Sequence, residues 1–373
     1  MRFLFSAQGW PYLLAPFIVI AVALELAHAS PTLVFFASAL GIIPTAALMG
    51  LATEELAARA GPGIGGFLNV TFGNAAELII AVLLLAEGLQ EVVKASLIGS
   101  ILGNLLLVLG LSMLVGGLGR KRQVFNRTAA TAQAAMLFLA VAALIMPAIF
   151  ALVRDGGLPG VDEVVHDYGS DLEELSIGVA VVLLGTYVAG LLFSLRTHRD
   201  VFNPALGARE GEADAHHETH GWSVRRSVAM LALAGVLVGV VSEILVGSLS
   251  EASRSLGISE FFVGVIVVAV VGNAAEHWVA VMVARKDQMD LAVNISIGSA
   301  AQIALFVAPV LVLLSFLVGP NPMPLVFNGF ELGAVLVAVL IGAYVTQEGE
   351  SNWFEGVQLL GVYIVAAIAF LYA

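Results

Sequence analysis

Two five-residue stretches carry the costliest chemistry in this chain. Gly73-Asn74-Ala75-Ala76-Glu77 returns unchanged, 199 positions later, as Gly272-Asn273-Ala274-Ala275-Glu276. Both copies lie in apolar runs long enough to cross a bilayer, where an ionisable side chain is expensive and marks a functional site by default. Asn and Glu at i and i+3 share one helix face, so each pair can aim its oxygens at one point. The glycine ahead of each pair lets a neighbour approach or the backbone open, which adds carbonyl oxygens at Gly73 and Gly272. On the next run, Gly99-Ser100 and Gly298-Ser299 repeat the pattern, followed by Asn104 in one copy and Gln302 in the other. The expected donor set is Glu77, Glu276, Asn74, Asn273, Ser100, Ser299 and Gln302. Asn104 is accessory, because Gln302 aligns with Gly103.

Oxygen donors of this kind suit hard cations: calcium first, manganese next, and sodium less well against two formal negative charges. Without a cation, desolvation and mutual repulsion favour the protonated form of the two acids. Metal and protons then compete for the same oxygens, which is the minimal physics of a cation/proton exchanger. His277 follows the second copy and either relays protons, holds Glu276, or packs. Glu54, Glu55 and Glu243 either line an ion path or mark helix ends at the interface.

The elements that position these residues are membrane helices. Of 373 residues 60% are hydrophobic and 12% charged, against roughly a quarter charged in soluble domains. Apolar runs of about 18 or more residues follow one another, and the ten-residue alternation of a β-barrel is absent. Eleven spans are expected, at 11–28, 31–58, 64–88, 92–117, 128–153, 174–197, 224–248, 258–285, 290–318, 324–346 and 353–372. Thirteen Lys and Arg fall on the side of the N-terminus, among them Arg120, Lys121, Arg122, Arg285 and Lys286, and three (Lys94, Arg154, Arg254) on the other. That bias puts the N-terminus in the cytoplasm and, after eleven spans, the C-terminus outside. The first run holds Glu25 and lacks a small-residue cleavage site, so it reads as a retained helix.

Residues 70–111 align with 269–310 without a gap, and the matched helices lie five spans apart. Five is odd, so the copies enter the bilayer from opposite sides. The chain divides into an N-terminal helix (1–30), a first repeat (31–197), an acidic, His-containing cytoplasmic linker (198–223) and a second repeat (224–373). The expected fold is an all-α polytopic membrane protein, an inverted 5+5 repeat plus one helix. Such repeats build secondary transporters whose ion sites lie near the midplane. The linker holds Glu210, Glu212, Asp214, Glu218 and three His, readable as an ion or pH sensor or as a solvated connection. The outer acidic loop, Asp155 to Glu174, reads as solvated.

The paired Gly-Asn-Ala-Ala-Glu, with His277 after the second, resembles the α-repeats of the calcium/cation antiporter superfamily, and within it the cation/proton exchanger family. Ala52-Thr53-Glu54-Glu55-Leu56-Ala57 and Gly298-Ser299-Ala300-Ala301-Gln302 also resemble family segments, and the likeness covers nearly the whole chain. It implies a sodium/calcium exchanger-like fold, Ca²⁺ export driven by inward H⁺, and alternating access in which the second and seventh spans slide against the rest. Glu77 and Glu276 would bind both ions, surrounded by Asn74, Asn273, Ser100, Ser299 and Gln302.

Other readings remain open: sodium- or potassium-linked exchange, and a passive cation channel, which the inverted repeat disfavours. Having no cysteine, the chain cannot form disulfides, thiolate metal sites or Cys nucleophiles. The spans hold no Ser-His pairing, His-Glu-x-x-His or paired-Asp motif, so no enzyme is expected. Ca²⁺ and H⁺ are the expected transported ions, and no resident cofactor is expected. A net charge of −12 argues against nucleic acid. Short loops suit a prokaryotic plasma membrane.

Overall fold

The computed structural model describes residues 9–161, 169–193 and 221–373. The expected linker at 198–223 therefore falls outside the described residues up to position 220, as do Asp162, Glu163 and Asp167 of the outer loop. Among the described residues, nine helices are long and apolar enough to cross a membrane by length and composition. Trp10–Leu26 and Ala75–Ala86 are shorter apolar helices. Together they fall where the eleven runs were expected.

After α1 (Pro16–Leu26), helix α2 runs from Pro31 to Gly73, 43 residues. A straight helix of that length would be about 65 Å long, twice the hydrocarbon thickness. It is not straight. A Cβ at Gly65 would collide with the carbonyl of Ala57, eight positions earlier and about 12 Å away in a straight helix. The chain therefore doubles back between them, at the boundary expected from sequence. Helix α2 ends at Asn74 (φ −95°, ψ 14°), and α3 (Ala75–Ala86) restarts at once.

In the second repeat, Ser223 caps α9 (Val224–Leu256) and Gly257, left-handed at φ 68°, ends it. Ser259 caps the short α10 (Glu260–Phe262), a π-helical turn covers Val263–Val268, and α11 (Ala269–Arg285) continues through Asn273 unbroken. The identical pentapeptides thus sit in two backbone settings, one at a break and one mid-helix.

The next spans are built alike. Helix α4 (Gln90–Leu102) passes through a π turn at Gly103–Val108 into α5 (Leu109–Gly117). Helix α12 (Met289–Gln302) passes through one at Ile303–Val307 into α13 (Ala308–Leu314). Both π turns follow the polar site positions directly, and such turns concentrate at functional sites. Helices α6 (Arg127–Leu144), α7 (Met146–Asp155) and α8 (Gly169–Leu192) complete the first half, and α14 (Gly329–Thr346) and α15 (Trp353–Leu371) the second. Helix α4 packs on the π turn at 263–268 so closely that Gly99 meets the backbone of Val265. Helices α2 and α9 pack along each other and, with α1, form a layer beside the rest. Strands β1 (Gln123–Val124) and β2 (Glu350–Ser351) pair antiparallel at the basic end.

Two local expectations need correction. The tenth helix begins at Gly329, not 324, because the preceding segment is apolar yet non-helical: Met323, Leu325, Val326 and Phe327 are fully buried. Its backbone is satisfied by Ser315 Oγ on Met323 N (2.8 Å), Ser176 Oγ on Leu325 N (3.0 Å) and Lys94 Nζ on Val326 O (2.7 Å). Lys94, counted as a loop residue, is 1% exposed and paired with Glu91 at 2.7 Å. The apolar neighbours of both residues hid this exchange of roles.

Candidate functional site

The helix break at Asn74 and the unbroken α11 bring the two pentapeptides face to face. Glu77 Oε1 accepts from Ser100 Oγ at 2.8 Å on the next helix and from Asn273 Nδ2 of the other repeat. Asn273 Nδ2 also reaches Ser100 Oγ (3.0 Å) and its own helix's Ala269 O (2.9 Å). In the mirror arrangement Glu276 Oε2 accepts from Ser299 Oγ at 3.1 Å. Asn74 Nδ2 donates to Gln302 Oε1 at 2.7 Å, again across the repeats.

The glycines permit this interleaving. A Cβ at Gly272 would press on Glu77 Cγ at 3.3 Å, and one at Gly73 would lie 3.8 Å from Glu276 Oε1. Each glutamate therefore packs against the glycine of the opposite copy. The sequence-predicted Glu77, Glu276, Asn74, Asn273, Ser100, Ser299, Gln302, Gly73 and Gly272 all meet here. Two acceptors at the centre, Glu77 Oε2 and Asn74 Oδ1, are buried without a hydrogen-bond partner. Unpaired buried oxygens are costly. A small cavity opens beside Glu77, lined by Ile80, Ser96, Ser100, Val268 and Val307.

The accessory residues divide. Glu54 is exposed and within electrostatic reach of Glu276, and Glu243 is exposed on α9. Glu55 is 2% exposed and accepts from Trp222 N at 3.1 Å, just ahead of α9. It holds a helix start and does not line an open path. His277 is buried with Nε2 unpartnered, so it does not hold Glu276 through that nitrogen. Its Cε1 lies 3.7 Å from where Gly103 would carry a Cβ. Asn104 is fully buried on the π turn and its amide makes no hydrogen bond, so it stays outside the network. One residue further along a helix is a turn of about 100°, enough to carry it off the face where Gln302 sits in the other copy.

Sequence reasoning passed over Gln133 and Asn294. Gln133 Nε2 donates to Asn294 Oδ1 across α6 and α12, near a second cavity. Amides are common in membrane helices as packing contacts, so composition alone does not single these two out.

The chain as a whole is similar to known proteins. Residues 30–196 and 226–372 match the family described as sodium/calcium exchanger protein. The chain is similar to the Ca²⁺/H⁺ antiporter of Synechocystis sp., at 46% identity over 350 residues, covering 91% of each chain. It is also similar to the Ca²⁺/H⁺ antiporter ChaA of Bacillus subtilis, 44% identical over 359 residues and covering 96% of this chain and 97% of the relative. The solved structure of native YfkE superposes with a TM-score of 0.80 at 39% identity, covering 97% of this chain and all of that one.

Proposed function

The chain belongs to the sodium/calcium exchanger protein family, and from that membership we propose that it is an integral membrane antiporter exchanging Ca²⁺ for H⁺. The observation that carries the reading is the crossed pairing of Glu77 with Asn273 and Ser100, beside Glu276 with Ser299. Relatives named as Ca²⁺/H⁺ antiporters, similar over nine-tenths of the chain, support the choice of ions.

In this account Glu77 and Glu276 share one Ca²⁺, with Asn74, Asn273, Ser100, Ser299, Gln302 and the backbone at Gly73 and Gly272 supplying neutral oxygens or orienting the acids. Two carboxylates neutralise the divalent charge, and a single cation cannot be replaced without an equal charge taking its place. When Ca²⁺ leaves, protons bind the acids and keep two charges from facing each other in a poorly solvated site. Both ions use the same oxygens, so they bind in turn and exchange is coupled. Helices α2 and α9, packed mainly on each other, are the pair that moves between access states, and Glu54 and Glu243 on them mark the Ca²⁺ path. The excess of Lys and Arg on one side puts the N-terminus in the cytoplasm.

The test is ⁴⁵Ca²⁺ uptake into proteoliposomes under an imposed pH gradient without sodium. Uptake that a protonophore abolishes when it clamps pH and voltage is the expected result. Uptake that appears only with a sodium gradient would overturn proton coupling.

A further inference from the structure

Polar groups that the exchange site does not use gather at the basic end of the bundle, between α6 and α12. A small cavity there is lined by Asn126, Gln133, Asp290 and Asn294 among apolar residues. Gln133 is 8% exposed and its Oε1, beside this cavity, is buried with no hydrogen-bond partner. Its Nε2 donates to Asn294 Oδ1, and at the mouth Asp290 Oδ1 accepts from Asn126 N. A buried amide oxygen left unpaired is costly, and a cavity with room for a water beside it is where that cost is relieved.

The cavity continues as a stripe. Asp290, Asn294, Gly298 and Gln302 recur every four residues along α12 and so share one slowly drifting face. All four are exposed or partly exposed, as are Leu291 and Ile295 beside them, whereas Ala292, Val293, Ser296, Ile297, Ser299, Ala300 and Ala301 are buried. Gly298 keeps the groove open: its missing Cβ would lie 3.7 Å from Asn294 Oδ1 and 3.9 Å from Gln133 Oε1. At the inner end Gln302 accepts from Asn74 of the exchange site. Lipid cannot satisfy accessible amides, so a polar stripe of this depth faces water.

The inverted repeat supplies an internal control. Asn328 caps α14 as Asn126 caps α6. Seven positions further on, Val335 stands where Gln133 stands, and Ala95 on α4 stands where Asn294 stands on α12. Both are 0% exposed. Glu91, the counterpart of Asp290, is tied to Lys94. The equivalent place at the opposite end thus lacks the amide pair and holds the buried Lys94 and Glu331 instead, so the amide-lined cleft is one-sided.

We infer that the cleft between α6 and α12 is a water-filled proton route from the basic end of the bundle to Gln302 and Asn74, separate from the Ca²⁺ path along α2 and α9. The inference rests on the Ca²⁺/H⁺ reading above. Asp290 marks the mouth, and waters bonded by Gln133 and Asn294 carry protons inward along the groove that Gly298 leaves.

The test compares two fluxes in proteoliposomes: Ca²⁺/H⁺ exchange, and exchange of ⁴⁵Ca²⁺ for unlabelled Ca²⁺ at equal pH, which moves no proton. Gln133→Leu and Asn294→Leu should slow Ca²⁺/H⁺ exchange about tenfold by removing the water contacts and leave Ca²⁺/Ca²⁺ exchange close to wild type. Equal effects on both fluxes, or none on either, would overturn the route. Because the chain has no cysteine, accessibility can be read without background and without transport. A thiol at Ala129→Cys, partly exposed and lining the cleft, should react with a charged methanethiosulfonate, and one at Val335→Cys should not. An unreactive Ala129→Cys thiol contradicts a water-filled cleft. Wild type that carries out neither flux would instead sink the antiport reading, whatever the thiols show.

Discussion

Asn273 donates through Nδ2 to Oε1 of Glu77, 196 positions earlier in the chain and in the opposite repeat. The candidate site is therefore completed by crossing: Asn273 of one half holds the acid of the other, and Asn74 reaches across to Gln302. Glu77 takes donors from both Ser100 and Asn273, whereas Glu276 takes one from Ser299. The two acids have the same sequence context but unequal support.

That inequality sets the first prediction. Hydrogen bonds to a charged acceptor contribute about 1.5–3 kcal/mol, or roughly ten- to hundredfold in an equilibrium constant. Asn273→Ala should weaken Ca²⁺ affinity by that order, and Ser299→Ala by less, since a hydroxyl is one donor at 3.1 Å. Equilibrium ⁴⁵Ca²⁺ binding to the purified variants checks the order. Ser299→Ala proving the more damaging would reverse the assignment.

The paired glycines of the fourth and ninth spans should behave oppositely despite aligning. A Cβ at Gly99 collides with Val265 O, where two helices cross at backbone distance, while one at Gly298 meets nothing closer than 3.7 Å. Gly99→Ala should cost about 1–3 kcal/mol or more of stability through overpacking. Gly298→Ala should leave the melting temperature near wild type. Thermal unfolding in detergent separates them.

Lys94 is buried between Glu91 and Val326 O, with Glu331 close by. Removing one partner of a buried pair leaves the other charge uncompensated, at about 3–5 kcal/mol for full burial. Glu91 keeps 17% exposure, so the lower end applies. Lys94→Met should lower thermal stability sharply, and the added Glu91→Gln should restore part of it. A double variant no better than Lys94→Met would show that the pair with Glu91 is not what makes Lys94 stabilising.

Neighbouring Glu54 and Glu55 should separate function from folding. Glu54→Gln should slow Ca²⁺ transport while leaving the melting temperature unchanged. Glu55→Ala removes the acceptor of Trp222 N at 3.1 Å and should cost about 1–3 kcal/mol. Turnover and unfolding measured on both variants decide it.

How much of this was legible in sequence varied with the cost of each residue's setting. Glu77 and Glu276 stood out because a carboxylate in an apolar run is expensive and a repeated one needs a shared reason. The inverted repeat followed from counting spans. Lys94 and the segment before Gly329 did not show, because hydropathy registers apolarity but cannot tell a buried irregular backbone from a helix. Gln133 and Asn294 were overlooked because amides in membrane helices commonly serve packing, and only the folded structure sets Gln133 against Asn294. Asn104 and Gln302 fell on different faces through a one-residue offset, and the Asn74 break separating the two identical pentapeptides depends on tertiary packing.

The central claim is that Ca²⁺ and protons occupy the same two carboxylates in turn. Proton release on adding Ca²⁺ to purified protein in weakly buffered detergent solution tests it most directly. The account predicts that Ca²⁺ binding to wild type releases protons, and that Glu77→Gln/Glu276→Gln, folded as wild type, neither binds Ca²⁺ nor releases them. Ca²⁺ bound by wild type with no proton released, or bound equally well by the double variant, would contradict it.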